Sequence, residues 1–146
     1  MLHSEGIIHV DVENTRMVVD ISSDFIEYYQ WFLERKYWVN MNSPLYGAHI
    51  TIGSSNHHEN VDWKRGYEKY NGEPVGFEYD ENIITGGRTK GFYLFYVKVF
   101  SETIDTIKKD IGILESSDYK GLHITLAVIG KKGCEIIPWW PELIRL

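Results

Sequence analysis

The chain contains one short pattern twice, first as Tyr46-Gly47-Ala48-His49-Ile50-Thr51-Ile52 and again as Tyr119-Lys120-Gly121-Leu122-His123-Ile124-Thr125-Leu126. Each copy reads histidine, aliphatic residue, threonine, aliphatic residue, with a glycine and a tyrosine upstream. Successive side chains of an extended strand point to opposite faces, so each histidine shares a face with its threonine while the aliphatic side chains turn into a core. Two such strands facing one another would form a site with two histidines and two threonines.

A strand and a helix precede the first copy. Residues 15–21 are rich in β-branched side chains, which is typical of a strand. The run Ser22-Ser23-Asp24 then offers an N-cap, and the apolar positions from Phe25 to Tyr37 recur at helical spacing. The first copy is therefore expected to be the return strand of a strand–helix–strand unit.

The second copy has the same context. Residues 91–100 have the strongest strand pattern in the chain, and Ser101 can cap a helix that Gly112 ends. The apolar stripe of that helix consists of Ile104, Ile107 and Ile111. The same order of elements thus occurs twice, and internal repetition of this kind is a fold-level signal.

These patterns predict an α+β fold with two pseudo-symmetric α/β lobes, whose antiparallel sheets flank a central cleft lined by the motif strands. We expect one domain over residues 1–146, with lobe one at about 15–53, lobe two at about 91–130 and a C-terminal lid at about 131–146. A chain of 146 residues is of the usual size for one domain with a sizeable core.

Composition narrows the classes of function. No stretch approaches the roughly 20 apolar residues needed to span a bilayer, and no secretion signal is visible at the N-terminus. The single cysteine, Cys134, excludes an intramolecular disulfide and suits a reducing cytoplasm. A net charge of −6 argues against binding of long DNA or duplex RNA, which needs a broad basic surface, but it allows a small anionic ligand in a pocket.

The segment between the two repeats, residues 54–90, is expected to be irregular because Asn, Gly and Pro punctuate it. Within it we expect a short strand at Val75–Glu81, and Trp63 on a loop near the cleft, where it is a candidate substrate-binding residue. The run His57-His58-Glu59 lacks flanking ligands at a metal-binding spacing, so a solvated loop is expected there. The sequence predicts no metal site and no cofactor.

Two histidines and two threonines suit metal-independent cleavage of a phosphodiester beside a 2′-hydroxyl. A neutral imidazole can take the proton of the 2′-hydroxyl while a protonated imidazole gives one to the departing 5′-oxygen. Threonine hydroxyls can donate to the non-bridging oxygens as charge accumulates on them. The candidate catalytic residues are therefore His49, Thr51, His123 and Thr125.

The two motifs resemble those of the 2H phosphoesterase superfamily, which is named for two His-x-Thr/Ser-hydrophobic motifs on pseudo-symmetric lobes. The resemblance covers residues 15–53 and 91–130, and it implies the 2H phosphoesterase, or LigT-like, fold. It also implies a hydrolase, specifically a phosphodiesterase, that acts without metal on 2′,3′-cyclic phosphates or on 2′-5′ or 3′-5′ bonds of RNA-like substrates.

One branch of that superfamily looks most similar, namely the phage anti-CBASS phosphodiesterases, which cleave cyclic di- and trinucleotide immune signals such as cGAMP. The resemblance implies immune evasion in the host-cell cytoplasm, with a C-terminal segment folded over the nucleotide and an aromatic ring stacked on a base. Trp140 is the nearest match, with Glu135 as a candidate polar contact. Trp139 beside it either contacts the ligand or anchors the tail, and Tyr46 and Tyr119 act in packing, in a turn or in substrate binding.

Two alternatives remain open at this level. The first is an RNA-processing enzyme that acts on linear RNA ends bearing a 2′,3′-cyclic phosphate, or on a 2′-5′ linkage. The second is a non-catalytic module that sequesters a nucleotide. The motifs do not distinguish which histidine is the base, which bases are preferred or whether the ring of the substrate has two or three nucleotides.

Overall fold

The computed structural model describes residues 1–37, 47–56, 58–87, 93–114 and 121–129. Within these ranges the chain forms seven strands and three helices, and the α+β class is confirmed. In chain order the elements are β1 (Leu2–Asp11), β2 (Arg16–Asp20), α1 (Ser23–Tyr37), β3 (His49–Ser54), α2 (Trp63–Tyr70), β4 (Pro74–Tyr79), β5 (Ile84–Gly87), β6 (Tyr93–Phe100), α3 (Glu102–Ile111) and β7 (His123–Ile129).

The strands form one antiparallel sheet in the order β4-β1-β2-β3-β7-β6-β5. Strand β4 also pairs with β6, through Glu78 with Phe100 and Tyr79 with Val99, so six strands close into a barrel. The antiparallel pairing is as expected, but the strands belong to one continuous sheet where the sequence predicted separate sheets on either side of a cleft. Strand β1 supplies much of this continuity, because it pairs with both β2 and β4.

Apolar side chains of the sheet and the helices form the core. Fully buried residues alternate along the strands, as with Val19 on β2 and Val97 on β6. The helices pack on this apolar face: the ring of Tyr37 in α1 lies 5.7 Å from that of Phe95. No described helix has both the length and the apolar character needed to cross a bilayer.

Helix α3 agrees closely with its sequence signals. The Ser101 hydroxyl accepts a hydrogen bond from the Ile104 amide at 3.2 Å, which satisfies one of the amides left open at a helix start. Gly112 ends the helix with φ 87°, a left-handed conformation in which glycine has no Cβ to strain. The three isoleucines of the predicted stripe are buried.

The expectation of an irregular segment between the repeats was wrong, because helix α2 and strands β4 and β5 lie there. Strand β4 fits the predicted short strand, and Val75 and Phe77 are buried. Helix α2 is fastened to α3: Arg65 and Lys69 each approach the Asp110 carboxylate to 2.9 Å, and the Tyr70 hydroxyl donates to it at 2.5 Å. These donors hold the pKa of Asp110 well below its usual range.

Two local expectations in this segment also need correction. Trp63 is the first residue of helix α2 and packs against the hydrophobic core, so it does not lie on a loop. Asp62 caps the helix by accepting from the Arg65 amide, and this cap sets where Trp63 enters the helix. His58 is buried, with Nδ1 3.3 Å from the backbone of Ser54, so it is not a solvated side chain.

Candidate active site

The two motif strands are neighbours in the sheet. Strands β3 and β7 run antiparallel with Ile50 opposite Ile124, and both isoleucines are completely buried. The two histidines and two threonines alternate with the buried aliphatic residues and are half-buried; they are His49, Thr51, His123 and Thr125. The two motifs therefore lie side by side on one face of a continuous sheet, whereas the sequence predicted motif strands that face one another across a cleft.

This face lies opposite the helices. Met17, on the apolar face of β2, is close to Gly66 of helix α2, where an added Cβ would come within 2.9 Å of the methionine methyl group. Phe95, on the apolar face of β6, contacts helix α1. Because side chains alternate along a strand, the motif histidines and threonines point away from the helices.

The register brings each histidine next to the threonine of the other motif. With Ile50 opposite Ile124 in an antiparallel pair, the neighbouring positions place His49 across from Thr125 and His123 across from Thr51. Each end of this strand pair thus offers one imidazole and one hydroxyl, taken from different motifs. A ligand on this face would meet both types of group at once.

The backbone around the two motifs matches in detail. In β2–β3 the residue partners are Asp20 with His49 and Val18 with Thr51, and in β6–β7 they are Lys98 with His123 and Tyr96 with Thr125. Both ladders then shift register after the threonine, so Ile52 and Leu126 have no counterpart across the ladder. Such bulges bend a strand and re-aim its side chains.

Backbone hydrogen bonds just before each motif histidine are also equivalent in the two strand pairs. The Ile21 amide donates to the Ala48 carbonyl at 3.1 Å, and the Val99 amide donates to the Leu122 carbonyl at 2.9 Å. In the second ladder the bulged residue has an additional contact, because Gln30 of helix α1 donates to the Leu126 carbonyl at 3.1 Å. Helix α1, which belongs to the first repeat, therefore supports the motif strand of the second.

A glycine turn orients each imidazole. Gly47 and Gly121 have φ values of 73° and 78°, and a Cβ at either position would meet no atom within 4 Å. The carbonyl oxygen of each glycine lies 2.9 Å from Nδ1 of the histidine two residues later. A carbonyl only accepts, so Nδ1 donates and carries the proton of the neutral ring. Nε2 is then the nitrogen that can accept a proton from a ligand.

Burial, one hydrogen bond and two nearby charges determine the pKa of His49. Burial lowers the pKa of His49 below its ordinary value, and the nearby Arg16 guanidinium lowers it further. The hydrogen bond to Gly47 and the carboxylate of Asp20 act in the opposite direction without reversing the shift. The surroundings of His49 therefore favour its neutral form more than those of an ordinary histidine.

The second histidine has different neighbours. The ring of Tyr96 lies 5.4 Å from that of His123, with 64° between the ring planes. Val18 occupies the corresponding position beside the first motif, and the exposed Asp20 corresponds to the exposed Lys98. Sequence reasoning overlooked Tyr96 and Lys98, although strict alternation along residues 93–100 would have placed both on the motif face.

The other predicted site residues separate into two groups. Trp63 is described, and the edge of its ring lies 3.5 Å from where a Cβ of Gly53 would be, so it packs on the core side of β3 and not with the motif side chains. The remaining candidates lie outside the described residues, as does Cys134; they are Tyr46, Tyr119, Glu135, Trp139 and Trp140.

A groove of about 780 Å³ lies between β4 and the start of α3. It reaches Gly121 and Leu122, next to the second motif, but its walls include Glu78, Glu102 and Asp105. Three carboxylates would repel a phosphate, so this groove is a poor place for an anionic ligand. The motif face, with its imidazoles and hydroxyls, is the better candidate site.

Across the described part of the chain, no three histidine, cysteine, aspartate or glutamate side chains come together as a set of metal ligands. Comparisons with models of known protein families, with curated proteins and with solved structures find no match to this chain.

Proposed function

We propose that this chain is a phosphodiesterase that cleaves phosphodiester bonds adjacent to a 2′-hydroxyl, with His49 and His123 as its acid–base pair. The observation that supports this most is the duplicate histidine geometry, in which each Nδ1 is bound to the carbonyl of a glycine two residues upstream. We further propose that β2-α1-β3 and β6-α3-β7 are the two pseudo-symmetric halves of a fold of the 2H phosphoesterase type. The matching registers and bulges of the two strand pairs support that division.

The proposed reaction moves two protons in opposite directions. One neutral histidine accepts the 2′-hydroxyl proton at Nε2 while the 2′-oxygen forms a bond to phosphorus. The bond from phosphorus to the 5′-oxygen breaks, and the second histidine, initially protonated, donates its Nε2 proton to that oxygen. The products are a 2′,3′-cyclic phosphate and a 5′-hydroxyl, and the two histidines have exchanged protonation states.

Because the protonation states are exchanged, the reaction benefits from two imidazoles that are held by the same hydrogen bond to a glycine carbonyl. After the first step the former base is protonated and the former acid is neutral, so the pair is ready to add water to the cyclic phosphate with roles reversed. Thr51 and Thr125 lie beside the opposite histidines, where their hydroxyls can donate to the non-bridging phosphate oxygens. The four side chains thus cover the nucleophile, the leaving group and the developing charge.

As substrate we propose a cyclic di- or trinucleotide signal, as in the phage enzymes that counter CBASS immunity. The acidic balance of the chain, with a net charge of −6, favours a compact ligand over long RNA held along a basic groove. A cyclic ribonucleotide also presents each 2′-hydroxyl next to a phosphodiester, as the chemistry requires. The cellular setting that follows is the cytoplasm of an infected host.

Chromatography of nucleotides incubated with the protein tests both levels of the proposal. Cyclic dinucleotides, cyclic trinucleotides and a linear oligonucleotide ending in a 2′,3′-cyclic phosphate are each incubated in the presence of a chelator, where turnover should persist. We expect linearisation of a cyclic substrate. Turnover of the linear end alone would move the protein to RNA processing, and binding without any turnover would contradict the acid–base mechanism.

The variants His49→Ala and His123→Ala should each lose roughly 10²- to 10⁴-fold in kcat, the usual contribution of one acid or base. The matched control is His3→Ala, which removes an exposed imidazole 3.6 Å from Glu78 on the β1–β4 side of the sheet. A substrate analogue without the attacking 2′-hydroxyl should bind and resist cleavage. Full activity in either motif variant, or cleavage of that analogue, would overturn the mechanism.

A further inference from the structure

Tyr96 breaks the correspondence between the two halves of the site. It lies on the motif face of β6 opposite Thr125, where the first half has Val18 opposite Thr51. Valine cannot contribute an aromatic surface, so the two halves differ in the side chain at this register position. The backbone registers that flank the two positions are otherwise the same.

The tyrosine ring makes a defined contact with the second histidine. The ring centroids of Tyr96 and His123 are 5.4 Å apart at an interplanar angle of 64°, within the range of favourable edge-to-face aromatic pairs. Tyr96 is half-buried and its strand is paired on both sides, with Thr125 on β7 and with Ile84 on β5. Its backbone is thus well fixed relative to the motif strand.

We propose that Tyr96 is a positioning residue that fixes the ring orientation of His123 for the reaction; this rests on the function proposed above. The bond from Nδ1 to the Gly121 carbonyl selects the tautomer of the His123 imidazole. The ring of Tyr96 packs edge-to-face against the same imidazole and restrains the rotation of its ring plane. His49 has the equivalent hydrogen bond, to the Gly47 carbonyl.

Orientation of Nε2 matters in the transition state more than in substrate binding. A displacement of about 1 Å in a reacting group can cost on the order of 100-fold in rate. We therefore expect loss of the ring to lower kcat roughly 10- to 100-fold while KM stays close to its original value. A residue that merely stabilised the fold would change the amount of folded enzyme and not this division between kcat and KM.

Three substitutions of Tyr96 distinguish the contribution of its aromatic ring from those of its volume and its hydroxyl group. Tyr96→Phe keeps the ring and should retain kcat, whereas Tyr96→Val installs the residue of the first half and should show the full loss. Tyr96→Leu keeps much of the volume without a ring and provides a second reading should the valine variant fold poorly. Tyr67→Val, at an exposed tyrosine of helix α2, is the matched control and should leave kcat unchanged.

A second readout does not depend on activity. The C2 proton resonances of His49 and His123 can be assigned with the corresponding alanine variants. The chemical shift of each C2 proton responds to any aromatic ring close to that imidazole. In Tyr96→Val and Tyr96→Leu the His123 resonance should move and the His49 resonance should stay, and Tyr96→Phe should leave both near their original positions.

The two readouts distinguish the possible failures. An unchanged His123 resonance in Tyr96→Val, or unchanged kcat in that variant, would overturn the positioning role. Equal losses of kcat in Tyr96→Phe and Tyr96→Val would overturn it as well, because the hydroxyl and not the ring would then matter. Absence of any turnover by the wild-type protein would refute the proposed function, and the resonances would then show only whether Tyr96 contacts His123.

Discussion

The strand pairs β2–β3 and β6–β7 have the same backbone but different surroundings for their histidines. Both contain the glycine turn, the bond from Nδ1 to the glycine carbonyl and the bulge after the threonine. Around His49 lie Arg16, Val18 and Asp20, whereas Tyr96 and Lys98 lie around His123. The shared features hold Nδ1 of each imidazole in the same way, and the differing ones give each ring its own neighbours.

This division fits a reaction whose two steps need each histidine in both roles. Orientation must be equal in the two halves, because a ring that was well placed only as an acid would fail as a base in the next step. The protonation states must differ, because an acid–base pair in which both rings are neutral or both are charged cannot begin the reaction. The equal backbone serves the first requirement, and the lowered pKa of His49 favours one neutral ring.

The strongest test of this comparison removes both histidines together. If the two rings act as one unit, the double variant His49→Ala/His123→Ala should be little worse in kcat than either single variant, because losing one partner already disables the proton exchange. Independent contributions would instead multiply, giving a loss of roughly 10⁴-fold or more from two losses of about 10²-fold. Single-turnover rates of the three variants, with unfolding curves to confirm folding, provide the measurement.

A smaller effect is expected from the two glycine turns. Gly47→Ala and Gly121→Ala force an L-residue into positive φ at 73° and 78°, which costs about 1–2 kcal/mol of folding free energy. No atom lies within 4 Å of either new Cβ, so the cost should come from the backbone and be similar in the two halves. Urea unfolding at equal protein concentration measures it.

Gly76→Ala is the control for the glycine prediction. Gly76 lies in strand β4, where its new Cβ would meet only the Ser4 carbonyl, at 4.0 Å. That substitution should be neutral or slightly stabilising, because it reduces the freedom of the unfolded chain without straining the fold. Clearly unequal costs at Gly47 and Gly121 would show that the turns are not equivalent.

Much of the site could be predicted because it follows from local patterns. Alternation in His49-Ile50-Thr51-Ile52 is enough to place the polar and apolar side chains on opposite faces, and the buried Ile50 confirms it. The cap at Ser101 and the stop at Gly112 are equally local. Each of these signals depends on residues within one turn or one strand.

What the sequence did not reveal depends on contacts between distant segments. Helix α2 has Gly66 in its middle, which lowers helix propensity, and the reason for the glycine is the close approach of Met17 from β2. Strand β5 contains Gly86-Gly87 and reads as a turn, yet it is a strand because β6 pairs with it. The neighbours of each histidine, Tyr96 among them, follow from registers that no single stretch of sequence specifies.

The smallest predicted effect concerns the charges beside His49 and has a definite sign. Arg16 lowers the pKa of His49 and Asp20 raises it. With His49 as the base of the proposed first step, activity rises as the pH passes its pKa, because a general base works when it is neutral. Arg16→Met should therefore move the rising limb of the pH–rate profile to higher pH, and Asp20→Asn should move it to lower pH.

Each displacement should be less than about one pH unit and should shrink as salt is added, because charges at the protein surface are screened. Titration of the His49 C2 proton should give the same two directions, and it observes this ring separately from His123. Lys98→Met, which changes the charge opposite His123, should leave the His49 titration nearly unmoved. If Arg16→Met and Asp20→Asn shifted it in the same direction, the two charges would not act on His49 with opposite signs, and the charges flanking the two halves would have no part in assigning base and acid.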